Sequence, residues 1–285
     1  MSEPIERQVQ AGPVELSAQE SGEGPPIVLL HGLTATRRYV VMGAQSLPRS
    51  GHRVIAYDAR GHGRSSPAPD PTAYGYAELA DDLEAVLDAF AAPRAVLAGA
   101  SMGAHTAARL TLRHPDRVAG LALITPAFNP SSWPPSPAQL AVWDALARGL
   151  REGGVEGFVA AYEAHRSVPD QYRDTLLTVL RQRLSAHEHP GAVADALECV
   201  PRSRPFESLD ELEQIGVPTV VVASRDEADA EHPLAVGERY AAAIPGARLL
   251  VEEPGRSPLA WQGGQLSRIL GELASEAFAA DERMR

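Results

Sequence analysis

Five short apolar runs, PIVLL (26–30), RVIAY (53–57), AVLAG (95–99), GLALI (120–124) and PTVVVA (218–223), are continuous rather than alternating. A strand with one wet face alternates polar and apolar residues, so a run that is apolar throughout must be buried on both faces, as in a parallel sheet covered by helices. Helical patterns separate the runs. The clearest is YAELADDLEAVLDAF (76–90), where Leu79, Leu83, Val86, Leu87 and Phe90 share one stripe. This alternation predicts an α/β fold: a mostly parallel, twisted sheet flanked by helices, with the ligand crevice at the C-terminal strand ends.

Before these runs, IERQVQ and VELSAQE flank the turn-forming AGP and predict a β-hairpin of edge strands. From about Pro126 the rhythm breaks. PAFNPSSWPPSPAQ is rich in Pro and Ser, and mostly helical patterns follow without a strand-like run. Residues 129–208 are therefore expected to form a helical insertion, with 1–128 and 209–285 making the core. A chain of 285 residues with 44% hydrophobic content is long enough for one such domain.

The net charge of -11 argues against a nucleic-acid backbone or an anionic membrane as partner, because both reward positive charge. No apolar run approaches the ~18 residues needed to span a bilayer, and MSEPIERQVQ lacks the basic and apolar regions of a secretion signal. Cys199 is the only cysteine, so no intramolecular disulfide can form, and no Cys/His cluster has metal-ligand spacing. The expectation is a cytoplasmic protein that handles a small molecule, with no metal.

The sharpest local signal is LAGASMGAHTA (97–107), which sets Gly99-Ala100-Ser101-Met102-Gly103 between a buried strand and a helix. This G-x-S-x-G pattern suits a serine held out on a strained turn, where residues two positions away must be small for the backbones to approach. The Met102 amide, opening the helix, would face charge developing on a substrate oxygen. A second motif, LLHGLTATRR (29–38), ends a buried strand in His31-Gly32-Leu33. Gly32 lets the backbone turn toward the serine, and the Leu33 N–H would be the second oxyanion donor. His31 is expected to hydrogen-bond within its loop.

HGLTATRR, YDARGHGRS (57–65) and GASMGAH, in this order and spacing, make the chain resemble the α/β-hydrolase-fold family over residues ~10 to 275. The resemblance implies a Ser, acid, His triad, two backbone oxyanion donors, a helical cap at the position of the insertion, and no metal or organic cofactor. Serine at position 101 sets the chain apart from branches with an aspartate nucleophile. In DARGHGRS, Asp58 and Arg60 would build a tight loop beside the serine turn, with His62 in a structural role.

The resemblance also implies Asp226 as the acid, in VVVASRDEADAEHP (220–233), with Asp229 as runner-up. It then implies a histidine after the strand ARLLVEE (247–253), but Arg256 stands there and no histidine follows His232. An arginine stays protonated at neutral pH and cannot serve as the base. Three readings stay open. Another histidine supplies the base: His232 first, then His105, or His165, His187 and His189 of the insertion. Alternatively, Arg256 pairs with Asp226 or grips an anionic substrate group, with Arg37 and Arg38 nearby. Or the chain is a catalytically impaired homologue that binds a small molecule or a partner protein. The leading expectation is a serine hydrolase of a small ester, lactone or related acyl compound, contacted by Gly32, Arg256 and Trp133, with Trp143, Phe158 and Tyr162 as further apolar walls.

Overall fold

The computed structural model describes residues 4–166, 169–225, 231–256 and 261–284. Eight strands form one sheet: β1 (Ile5–Ala11), β2 (Val14–Ser21), β3 (Pro26–Leu30), β4 (Arg53–Tyr57), β5 (Ala95–Ala100), β6 (Val118–Ile124), β7 (Thr219–Ala223) and β8 (Arg248–Val251). Their order is β1-β2-β4-β3-β5-β6-β7-β8. β1 and β2 make the expected antiparallel hairpin, β2 joins β4 antiparallel, and every later pairing is parallel. Only β1 of the hairpin is an edge strand, because β2 is paired on both sides. VELSAQE reads as half polar from the sequence because Ser17 is buried with partners of its own: its N–H donates to Ser65 Oγ at 2.9 Å and its Oγ accepts from Arg37 at 2.8 Å.

The helices are α1 (Ser46–Arg49), α2 (Tyr76–Ala89), α3 (Met102–Arg113), α4 (Pro137–His165), α5 (Asp170–Leu184), α6 (Pro190–Cys199), α7 (Leu234–Ala243) and α8 (Gly263–Met284). Successive residues of β3 point to opposite sheet faces. Val28 and Leu30 join a core with Leu83 and Leu87 of α2 and Leu110 of α3, while Ile27 and Leu29 join one with Leu266, Leu270 and Leu273 of α8. Each such side chain contributes roughly 1.5–3 kcal/mol on burial, which is why these positions are apolar.

Between β6 and β7 the chain runs through α4, α5 and α6, which have an apolar cluster of their own: Leu146, Leu150, Phe158, Leu177, Leu184 and Leu197 among others. A capping box of Ser136 and Gln139 starts α4, and Gly154, at φ 59°, divides it into two segments. His187 and Glu188, between α5 and α6, tie these helices to the loop after β4. The Gly63 N–H donates to His187 Nδ1 at 2.8 Å, and the Glu188 N–H donates to the Gly63 carbonyl at 2.8 Å.

Candidate active site

Ser101 stands between β5 and α3 with φ 51° and ψ -113°, a conformation that costs a non-glycine residue on the order of 1–3 kcal/mol. Its neighbours make the strain sustainable. A Cβ on Gly99 would lie 2.1 Å from the Gly103 carbonyl oxygen, and one on Gly103 would lie 2.3 Å from the Leu30 carbonyl oxygen. Both positions therefore exclude any side chain, and the turn can close against the end of β3. Its backbone is pinned to the neighbouring strand, since the Ser101 N–H donates to the Ile124 carbonyl at 2.9 Å.

The turn opens into a cavity of about 670 Å³ lined by both the sheet ends and the inserted helices. Gly32, Leu33 and Met102 all border it. Among the described residues, neither the Leu33 nor the Met102 N–H donates to another protein group. The loop of Leu33 is held from behind. His31 donates from Nδ1 to the Gly32 carbonyl at 2.8 Å and accepts the Ala59 N–H on Nε2 at 2.9 Å. His62 faces two carbonyls, Leu33 at 2.6 Å and Arg60 at 2.9 Å, while His187 faces the Thr34 carbonyl at 3.3 Å. The three rings adjoin in sequence, His31 tilted by 52° to His62 and His62 edge-on to His187 at 78°, with centroids 5.2 Å and 5.5 Å apart. Burial pushes all three imidazoles below their ordinary value, His187 to about 3. His31 and His187 each accept an N–H on one ring nitrogen and are neutral struts of the loop, and His62 braces it at the Leu33 carbonyl, in agreement with the sequence reading of His31 and His62.

Asp58 and Arg60 also act as the sequence suggests. Asp58 accepts from the Arg37 N–H at 2.8 Å, the Arg37 guanidinium at 3.1 Å and the Arg64 N–H at 3.2 Å. Arg60 makes a buried two-pronged pair with Asp82 at 2.8 and 2.7 Å.

His232 Nε2 lies 2.8 Å from Ser101 Oγ. The imidazole comes from the segment between β7 and α7, immediately before α7 begins. Glu252, buried just past β8, anchors the start of that segment: one carboxylate oxygen accepts from Ser224 Oγ at 3.1 Å and from the Arg225 N–H. Next to His232, Glu231 makes an ion pair with Arg166, whose guanidinium lies 5.1 Å from the Trp143 ring centroid. Asp226 and Asp229, the sequence candidates for the acid, lie outside the described residues.

A family model described as "alpha/beta hydrolase fold" matches residues 25–263. The chain belongs to the alpha/beta hydrolase fold family. Over 106 residues it is 39% identical to epoxide hydrolase B of Mycobacterium tuberculosis, an alignment covering 37% of this chain and 30% of that one. The chain spans less than half the length of the first curated relatives that it matches. Among solved structures, it resembles Est816, described as an N-acyl homoserine lactone degrading enzyme, at 29% identity and TM-score 0.69, over 95% of this chain and 99% of that one. It also resembles a thermophilic esterase from Thermogutta terrifontis at 26% identity and TM-score 0.71, over 100% and 98% of the two chains.

Within this hydrolase fold the other candidate histidines have different duties. His105 is buried, with Nε2 accepting the N–H groups of Ala127 and Phe128 at 3.0 Å each. Its proton is therefore on Nδ1, donated to the Tyr76 hydroxyl at 2.9 Å, and burial with the nearby His232 holds its pKa at about 3. His165 is exposed, and neither it nor His189 borders the cavity.

Arg256, the expected substrate contact, is exposed in the turn after β8 and is not among the described residues that line the cavity. The edge strand β8 runs out to solvent there, and the Arg256 N–H donates to the Glu253 carbonyl at 3.3 Å. Arg37 is committed to Asp58, Ser17 and Glu6, and the exposed Arg38 packs beside Gly43; neither is among the described residues that line the cavity. Trp133, Trp143, Phe158 and Tyr162 do border the cavity. So do Arg166, Arg183 and Glu231, which no periodicity or motif singles out. Among the described residues no group of three His, Cys, Asp or Glu side chains could hold a metal ion, and no helix is long and apolar enough to cross a membrane.

Proposed function

We propose that this chain hydrolyses a small ester or lactone by way of an acyl-enzyme on Ser101, with His232 as the base. The observation that carries this reading is the 2.8 Å approach of His232 Nε2 to Ser101 Oγ at a strained turn inside a cavity. With the imidazole proton on Nδ1, the Ser101 hydroxyl donates to Nε2 and loses its proton there as Oγ attacks the substrate carbonyl carbon. The carbonyl oxygen gains negative charge and takes the N–H groups of Leu33 and Met102. His232 then gives the proton to the departing alkoxide, and a water deprotonated by the same ring releases the acid. Asp226 is the proposed acid beside His232, on its sequence position past β7, and residues 129–208 act as the cap over the substrate. The lone Cys199 suits a reducing, cytoplasmic setting.

Fluorophosphonate labelling and 4-nitrophenyl ester turnover, measured on the wild type, Ser101→Ala and His232→Gln, test this. Labelling and turnover lost in both variants support the reading. A wild type that neither labels nor turns over any neutral or charged ester overturns it and leaves a ligand-binding member of the fold.

A further inference from the structure

The hydrogen bonds around His105 leave one donor over at the cavity wall. His105 Nε2 accepts the N–H groups of Ala127 and Phe128, so the single ring proton sits on Nδ1 and goes to the Tyr76 hydroxyl at 2.9 Å. The Tyr76 oxygen is the acceptor in that contact, and its own O–H hydrogen is left to be given elsewhere. Among the described residues no acceptor takes it, since His105 is the hydroxyl's one hydrogen-bond partner. Yet Tyr76 is only 5% exposed, and both it and His105 border the cavity.

The hydroxyl is also held in place. Ser203 Oγ accepts the Tyr76 N–H at 2.8 Å where α2 begins, and the tyrosine ring meets His105 edge-on at 79°, with centroids 5.6 Å apart. The pair stands close to the serine turn, because the His105 N–H donates to the Ser101 carbonyl at 3.1 Å. Burial pushes the Tyr76 phenol above its ordinary value, so it keeps its proton at neutral pH and beyond.

We infer that the substrate carries a second oxygen acceptor, an ether, hydroxyl or carbonyl oxygen apart from the ester group that reacts, and that the Tyr76 hydroxyl donates to it. This rests on the hydrolase reading above for the chemistry, and adds the substrate class. A fixed, buried donor discriminates against an analogue that offers only a methylene, because that analogue strands the donor away from water.

Esters that exchange CH2 for O test the inference: 4-nitrophenyl hexanoate against the 3-ethoxypropanoate and 4-methoxybutanoate esters, and pentyl acetate against 2-ethoxyethyl acetate. The added oxygen thus falls on either side of the scissile bond, and dividing each kcat/KM by the alkaline hydrolysis rate of the ester removes intrinsic reactivity. The wild type is expected to favour the oxygen-bearing member of at least one pair by about fivefold or more, and Tyr76→Phe should lower that preference about tenfold. A loss of stability alone lowers both members of a pair together and leaves their ratio unchanged. Tyr76→3-fluorotyrosine, which keeps the shape and strengthens the donor, should raise the preference about twofold, and serves as the second variant should Tyr76→Phe fail to fold. Absence of any preference in the wild type, or a preference that the substitutions leave unmoved, overturns the inference and makes water the partner of the hydroxyl. Should no ester be turned over at all, the hydrolase reading fails, and calorimetric titration with methyl 3-ethoxypropanoate, methyl 4-methoxybutanoate and methyl hexanoate decides the donor by itself: tighter binding of an ether, lost in Tyr76→Phe, supports it, and equal binding or none overturns it.

Discussion

Ser101 and His232 are separated by 131 positions in the chain, yet their side chains meet at 2.8 Å. The segment after β7 thus brings an imidazole to the serine, while the segment after β8 carries Arg256 out to solvent. If His232 takes the serine proton, His232→Gln lowers ester kcat by about 10⁴-fold or more, as losing the base does in serine hydrolases generally. Arg256→His, which would restore activity if the base were missing from its usual strand end, should change kcat by less than about threefold. Steady-state kinetics on both variants separates the two arrangements; a large gain from Arg256→His would remove His232 from the role.

The strained turn has a stability signature of its own. Gly103→Ala places a Cβ 2.3 Å from a backbone oxygen of β3, which cannot move without tearing the centre of the sheet. Overpacking against backbone should cost about 3 kcal/mol or more, and lower Tm by about 6 °C or more in a protein of this size. Gly264→Ala, where an added Cβ meets nothing within 4 Å, is the control and should leave Tm nearly unchanged. Calorimetry of the two variants makes the comparison, and similar melting points would mean that the turn relaxes more freely than its contacts imply.

Much of this architecture was legible in the sequence because burial on both faces writes itself as an uninterrupted apolar run: the five such runs correspond to β3 through β7. The serine turn was legible because Gly99 and Gly103 stand two residues either side of Ser101, where neither position has room for a Cβ. The burial of Ser17 was not, because its hydrogen-bond partners, Ser65 and Arg37, come from loops far along the chain. The sequence put His232 first among the candidate histidines, and the reason lies in long-range placement: His105 sits one helical turn from Ser101 but turns its ring to Tyr76 and the 127–128 amides, whereas His232 arrives from across the fold. Local spacing ranks neighbours along the chain, and the site is assembled from segments that only the sheet order makes adjacent.

The Tyr76 hydroxyl has a defined task, accepting the Nδ1 proton of His105. Tyr76→Phe leaves that proton buried without an acceptor, and flipping the tautomer instead would forfeit the Ala127 and Phe128 amides, so either route costs roughly 1–3 kcal/mol. Urea denaturation should show this loss. A fall in kcat as large as that of His232→Gln, with stability intact, would instead make His105 a participant in proton transfer.

Acid should weaken the fold through its neutral histidines. Burial holds His105 and His187 at about 3 and keeps His31 and His62 below the ordinary imidazole value. In the unfolded chain each titrates near ~6.5. Between these limits the unfolded state binds more protons than the folded one, so the stabilisation is complete above pH ~6.5 and drains away as pH falls toward about 3. Asp58 and Asp82, pushed upward by burial, titrate with the opposite sign, so the wild-type curve mixes the two. His187→Asn separates them, because asparagine keeps an acceptor for the Gly63 N–H while removing one titrating ring. Chemical denaturation between pH 7.5 and 4 should give the variant a slope flatter by up to about 1.4 kcal/mol per pH unit. Parallel curves would mean that His187 titrates alike in the folded and unfolded chains, so that the Gly63 N–H does not hold its Nδ1 unprotonated.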